Sequence, residues 1–191
     1  MCAPHVRHFM VLTRRAGNMV APLNCGVRRL SDVVIRSFSE SDLVGVIECF
    51  GASVRVIAAR YYLPEQVAAW APSDPDISSW QRRLSNGGVF VADVQEVIAG
   101  FVRAESTGLV DLLYVHPAYE RRGIGKALLR TACAWAAENG AEQFEANVSL
   151  AAQPLFEKGG FRVEREQFVE YRGIVFHNFR MVSNSNGVPA A

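Results

Sequence analysis

No uninterrupted apolar run in the sequence approaches the roughly 18 residues that a membrane span requires, so no membrane anchor is expected. The four cysteines, Cys2, Cys25, Cys49 and Cys133, form neither a CxxC pair nor a metal-ligand pattern. That removes the redox-motif and structural-zinc readings and leaves reduced, packing thiols of a cytoplasmic protein, with no metal site expected. There is no internal repeat and no low-complexity segment. The first 31 residues contain no acid, although they hold five arginines: Arg7, Arg14, Arg15, Arg28 and Arg29. Residues 1–32 therefore read as a basic, disordered extension, or as an upstream start with Met19 as the true one, with a faint likeness to an organellar presequence as the other reading.

The rest of the chain has 15 basic and 19 acidic residues, or −4, and the whole carries +1. Such a balance gives bulk nucleic-acid binding no electrostatic basis. What is present is ordinary for a globular protein: half of the 191 residues are apolar and a fifth are charged. One domain over 33–183 can bury a full core, and the small polar residues of 184–191 make a mobile tail.

Along the chain, Val33–Phe38 is a β-branched run ending at Ser39-Glu40-Ser41-Asp42, where Ser39 or Ser41 can cap a helix. Apolar residues at three- and four-residue spacing from Leu43 predict that helix to about Ala59. Pro64 starts a second, with Val67, Ala68 and Trp70 on its inner side, and Ile77–Leu84 makes a third that carries Trp80. Val89–Asp93 and Val97–Ala104 read as a hairpin across Val94-Gln95-Glu96. Leu109–Val115 is the next strand, followed by a basic glycine loop at Arg121 to Gly125 and a helix over Ile124–Glu138 that shows Ile124, Leu128, Ala132 and Trp135 on one face. Asn139-Gly140 closes it. Gln143–Val148 alternates like a strand, Ala151–Lys158 forms a short helix, and Phe161–Val169 with Ile174–Val182 makes a last hairpin around Arg172-Gly173. This order predicts an α/β (α+β) domain: a mixed, mostly antiparallel sheet of about seven strands, a central βαβ unit and helices on both faces.

A glycine loop entering a helix presents unpaired N–H groups and is a candidate anion cradle. A phosphate loop needs GxxxxGK[ST], but Ala127 follows Gly125-Lys126, so no hydroxyl is available for Mg²⁺. A dinucleotide fingerprint needs GxGxxG, and Gly123-Ile124-Gly125 supplies only its first half. Read whole, LLYVHPAYERRGIGKALL resembles the signature of the GNAT superfamily of N-acetyltransferases, [QR]xxGx[GA] entering a helix after a strand. AAQPLFEKGGF (Ala151–Phe161) looks like the family's second conserved block, and VVIRSFSESD like its first strand–helix unit.

The resemblance implies acetyl-CoA as cosubstrate. Its pyrophosphate would rest on Arg121, Arg122, Gly123, Ile124, Gly125 and Lys126, and its pantetheine arm would lie beside Leu113 and Val115, with Asn147 reaching it from the next strand. It also implies that these two parallel strands splay apart to admit the arm, and that Tyr61, Tyr62 and Trp70 border the acceptor, an amine of a small molecule or peptide. A homodimer is compatible with it. Two positions depart from the family pattern. Glu120 stands where Gln or Arg is usual, free to face solvent or to pair with Arg121 or Arg122. Phe156 stands where many members have the tyrosine that protonates the departing thiolate. Either another group then acts as the acid, or the thiolate leaves without one, or the activity is lost; the candidates for proton transfer are Asp111, His116, Tyr171 and His177, with Asp111 and Tyr171 preferred. The readings to separate are an acyltransferase, a non-catalytic acyl-CoA-binding domain, for which Phe156 speaks, and a nucleotide-binding protein.

Overall fold

The computed structural model describes residues 33–184, so the N-terminal extension with Cys2, Cys25 and Met19, and the tail from 185 on, lie outside it. Seven strands and five α-helices follow in the expected order. They are β1 (Val34–Ser37), α1 (Leu43–Val56), α2 (Pro64–Trp70), α3 (Ile77–Leu84), β2 (Gly88–Val94), β3 (Val97–Ala104), β4 (Val110–Val115), α4 (Ile124–Glu138), β5 (Gln143–Ser149), α5 (Gln153–Lys158), β6 (Arg162–Tyr171) and β7 (Ile174–Asn184).

The sheet is divided. β1-β2-β3-β4 form one antiparallel sheet and β5-β7-β6 another, with β7 between its two neighbours. β4 and β5 run parallel, yet they share a single bridge, Leu109 with Glu145, where the Glu145 N–H donates to Gly108 C=O at 3.1 Å. Leu109 thus belongs to this bridge and not to the strand proper, and beyond it the two strands part as the family resemblance implied.

Period-two alternation of β3 and β4 builds a core on each face. Val102, Ala104 and Val110 meet Ile124, Leu128 and Ala132 of α4, while Phe101 and Leu112 meet Leu43, Val46 and Cys49 of α1. Trp135 lies over Gly88, where even a methyl group would stand 2.3 Å from the indole. Three helical readings shift, the first being α5, which starts at Gln153 and not at Ala151. α1 stops at Val56, and Ala58–Arg60 continues as a 3₁₀ turn. On α2 it is Ala69, not Ala68, that packs inward with Val67 and Trp70.

Before α1, Ser39 opens a 3₁₀ turn (Glu40–Asp42) instead of capping the helix itself, and its N–H donates to Asp42 Oδ2 at 2.8 Å. Asp42 also accepts from Arg36 at 2.7 and 2.8 Å, and Arg36 reaches on to Asp93 at 2.8 Å, so one guanidinium ties β1, α1 and β2 together. Arg36 holds the Asp42 carboxyl at about 2, below its ordinary 3.8, against an opposing push from burial. A carboxyl depressed in the folded state stabilises fully above its unfolded pKa and loses that contribution as pH falls through the folded one. Between about pH 4 and pH 2 the protein should lose on the order of 1–2 kcal/mol from this site, screening included. Asp42→Asn should lower stability at neutral pH and flatten that part of an acid-denaturation curve; an unchanged slope would sink the assignment.

Candidate active site

The loop before α4 is wound left-handed at two positions, Arg121 (φ 63°) and Gly123 (φ 82°). A left-handed arginine costs roughly 1–2 kcal/mol, a strain that functional loops retain. The first helical bond runs from the Ala127 N–H to Gly123 C=O at 3.0 Å. The N–H groups of Ile124, Gly125 and Lys126 therefore have no acceptor within the helix. They open into a cleft of about 390 Å³ together with Arg121, and Leu155 of α5 forms the opposite wall. A side chain on Gly125 would press on that wall, since its Cβ would stand 2.9 Å from Leu155 Cδ2.

Of the cations expected here, Arg121 and Lys126 line the cleft, whereas Arg122 lies over the Tyr119 ring, 5.4 Å from its centroid. Glu120 pairs with neither neighbouring arginine. It takes both terminal nitrogens of Arg60, at 2.9 and 3.0 Å, from the 3₁₀ turn after α1. The departure from the family pattern is thus neutralised by a residue 60 positions earlier.

Leu113 and Val115 also line this cleft. The His116 N–H donates to Ala99 C=O of β3 at 2.9 Å. Alternation then turns the main-chain groups of Leu113 and Val115 to the other edge of β4, toward the gap left by β5. Asn147 is not in this cleft. On β5 the even-numbered Phe144, Ala146 and Val148 fill the core, which sends Asn147 to the opposite face, where its Oδ1 accepts from Gln167 at 2.7 Å. Ser149 is the β5 residue that reaches the loop cleft.

A second cleft, of about 510 Å³, lies on the α1–α3 side and contains Asn147, Asp111 and Tyr171. The two clefts share Trp70, Tyr114 and Ser149, so they meet where β4 and β5 separate. Its walls are aromatic: Phe50 packs edge-on against both Trp80 and Tyr114 at 4.9 Å, and Trp70 against Phe176 at 5.9 Å. Burial pushes the Tyr114 hydroxyl up to about 12, opposed by a hydrogen bond from the Trp70 side chain. No sequence motif marks Tyr114, although the alternation of LVDLLYV sets it beside Leu112 on the α1 face.

The candidate proton-transfer residues fare unevenly. Both oxygens of Asp111 accept from Arg83, at 3.0 and 2.7 Å, and Oδ2 also accepts from the buried Arg103 at 2.9 Å. A base committed to two guanidiniums must break a charge-assisted bond to take a proton. Tyr171 lies at the tip of the last hairpin, half exposed beside Phe176. His116 Nδ1 accepts from the Ala118 N–H at 3.2 Å and closes a turn. The His177 ring stacks on Phe168 at 4.9 Å; its Nε2 is 2.6 Å from Glu166 but out of line for a hydrogen bond. Tyr62 lines the aromatic cleft, but its hydroxyl is spent on structure, donating to His177 C=O at 2.7 Å and accepting from the Leu150 N–H at 3.1 Å. Phe156 sits in the core, edge-on to Phe161 at 5.1 Å. Among the described residues, no group of three His, Cys, Asp or Glu stands close enough to hold a metal ion.

Comparison with known proteins agrees with this fold. A family model described as an acetyltransferase (GNAT) domain matches residues 58–183. The chain is 32% identical over 152 residues to the uncharacterized N-acetyltransferase YafP of Escherichia coli (strain K12), covering 80% of this chain and 96% of that protein. A GCN5-related N-acetyltransferase from Rhodopseudomonas palustris superposes with a TM-score of 0.76 at 28% identity, over 79% of this chain and 94% of that one. The PaiA N-acetyltransferase of Thermoplasma acidophilum, solved in complex with coenzyme A, shares the fold with a TM-score of 0.64 at 22% identity, over 80% of this chain and 98% of that one.

Proposed function

The chain belongs to the GNAT family of acetyltransferases, and from that premise we propose that it moves an acetyl group from acetyl-CoA to a primary amine held in the aromatic cleft. The observation that carries the reading is the meeting of two clefts at Trp70, Tyr114 and Ser149, one with an anion cradle at its far end and one with aromatic walls. The cradle fits a pyrophosphate: free N–H groups at Ile124, Gly125 and Lys126 point to a helix start beside two cations, Arg121 and Lys126. Arg122 adds positive potential from outside the cleft.

The free edge of β4 can pair with the amides of a pantetheine arm through Leu113 and Val115, and an N–H there can draw charge from the thioester carbonyl as the amine attacks. The amine enters from the aromatic side, so the reacting atoms meet at the junction. Tyr114 remains protonated under all working conditions and offers its O–H to the departing sulfur, the role that Phe156 cannot fill. The surplus amine proton leaves through the water of the open aromatic cleft. Tyr171 forms part of the acceptor wall, Tyr62 fixes that wall from behind, and Asp111 holds Arg83 in place. The buried thiols of Cys49 and Cys133, pushed up to about 12 by burial, suit the reducing cytoplasm we assign to the enzyme.

Thiol release from acetyl-CoA over a panel of amines, beside melting shifts with coenzyme A, ATP and NAD, tests this function. Turnover with at least one amine and the largest shift with coenzyme A are expected. Binding without any turnover would favour a non-catalytic acyl-CoA module, and a larger shift with ATP or NAD would overturn the donor assignment.

A further inference from the structure

The aromatic cleft contains three arginines, and only one is neutralised. Arg83 is bound to Asp111, but Arg55 and Arg172 have no carboxylate within ion-pair distance among the described residues. Each makes a long contact to a carbonyl instead, Arg55 to Ala71 C=O and Arg172 to Ala69 C=O, both at 3.4 Å, and Arg172 also lies over the Tyr171 ring, 5.3 Å from its centroid. Those carbonyls flank Trp70, a residue at the junction of the clefts, so two guanidiniums from distant parts of the chain are brought to one short segment of the aromatic cleft. Arg55 is set there by Gly51: its guanidinium folds back over the bare helix, where a Cβ would be only 2.2 Å from Nη2. The acids of the cleft do not cancel the pair. Asp111 is taken, Asp76 accepts from Ser78 and the Ser79 N–H at the start of α3, and Glu48, about one turn of α1 before Gly51, makes no ion pair with Arg55 among the described residues.

A third group completes the pattern. Asn178 faces Ser149 across the β5–β7 pair, and its buried side-chain oxygen has no hydrogen-bond donor. A buried acceptor without a donor is costly, and an amine N–H delivered at the junction would satisfy it.

We propose that the acceptor is an amino acid with an aromatic or large apolar side chain. Its amine lies at Asn178 and the junction, its carboxylate on Arg55 and Arg172, and its side chain against the aromatic wall of Phe50, Trp80 and Phe176. This rests on the acetyltransferase reading for the direction of the amine, but it is tested by binding alone. Phenylalanine, phenylalaninamide and 3-phenylpropanoate are titrated into the full-length protein saturated with coenzyme A, with tryptophan fluorescence as readout, since Trp70 and Trp80 both line the cleft. Phenylalanine should bind at least about tenfold more tightly than either analogue, the amide lacking the anion and the propanoate the amine. Arg55→Ala and Arg172→Ala should each remove most of the preference over the amide, and their melting curves report that they are folded.

Equal affinity for phenylalaninamide, which has the shape of a peptide's first residue, would overturn the proposal in favour of a peptide end. A preference that survives in both variants would overturn the assignment of the arginines. Failure of the acetyltransferase reading shows up separately, as binding of phenylalanine with no thiol release from acetyl-CoA.

Discussion

Gly108→Ala is expected to lower the melting temperature by roughly 6–12 °C, the equivalent of about 3 kcal/mol in a domain of this size. Gly108 has φ +96°, a conformation unfavourable to any residue with a Cβ, and an added methyl carbon would stand 1.9 Å from Gln143 C=O. The obstacle is backbone and has no rotamer to move into. Gly108 C=O is also the acceptor for Glu145, in the single bridge that joins β4 to β5. The substitution therefore adds left-handed strain, a steric overlap and a lost hydrogen bond at the point from which the two strands diverge. Gly140→Ala is the control: φ is +99° there too, but nothing lies within 4 Å of the added carbon. It should cost only about 1 kcal/mol. Thermal unfolding followed by circular dichroism checks both, and equal losses would show that the closed end of the wedge carries no special load.

Tyr114→Phe should lower kcat by about 100-fold with little change in the KM for acetyl-CoA. The phenyl ring keeps the contacts with Phe50 and the stacking on Phe101 at 5.5 Å, so the fold should survive. What disappears is the hydroxyl. With its pKa at about 12, that hydroxyl keeps its proton through the working range, so it contributes no basic limb to the pH profile. In the native protein kcat/KM should rise with pH only as the acceptor ammonium deprotonates. Tyr171→Phe, at the hairpin tip, should instead raise the acceptor KM. If the two substitutions cost the same kcat, Tyr114 is not the group that assists thiol departure.

The parts of this site that are local in sequence could be read from it. The loop and the start of α4 at Ile124, the stop at Gly140 and the turn at Arg172-Gly173 each follow from a few adjacent residues whose backbone preferences agree. The place of Leu113 and Val115 on the strand that leads into this loop is likewise local. Partners brought together by packing were not. Glu120 finds Arg60, Asp111 finds Arg83 and Arg103, and Asn147 turns away from the loop cleft because its even-numbered neighbours claim the core. Tyr62 is a similar case: beside Pro64 it looks like a loop aromatic facing a ligand, yet its hydroxyl ties Leu150, just after β5, to His177 of β7. Charge and hydroxyl roles depend on the third dimension even when the backbone frame does not.

The strand order β5-β7-β6 has a bearing on how the protein is made. β5 is synthesised directly after α4, but its hydrogen-bonding partner is β7, which begins 25 residues beyond the end of β5. On the ribosome, β1 to β4 with α1 and α4 can assemble early, while β5 must wait with its polar edge unsatisfied. Both the floor that carries Ser149 and the opposing Asn178 come into register only when β7 inserts between its neighbours. Competence to bind either substrate should therefore arise in the last step of folding, after nearly the whole domain has emerged.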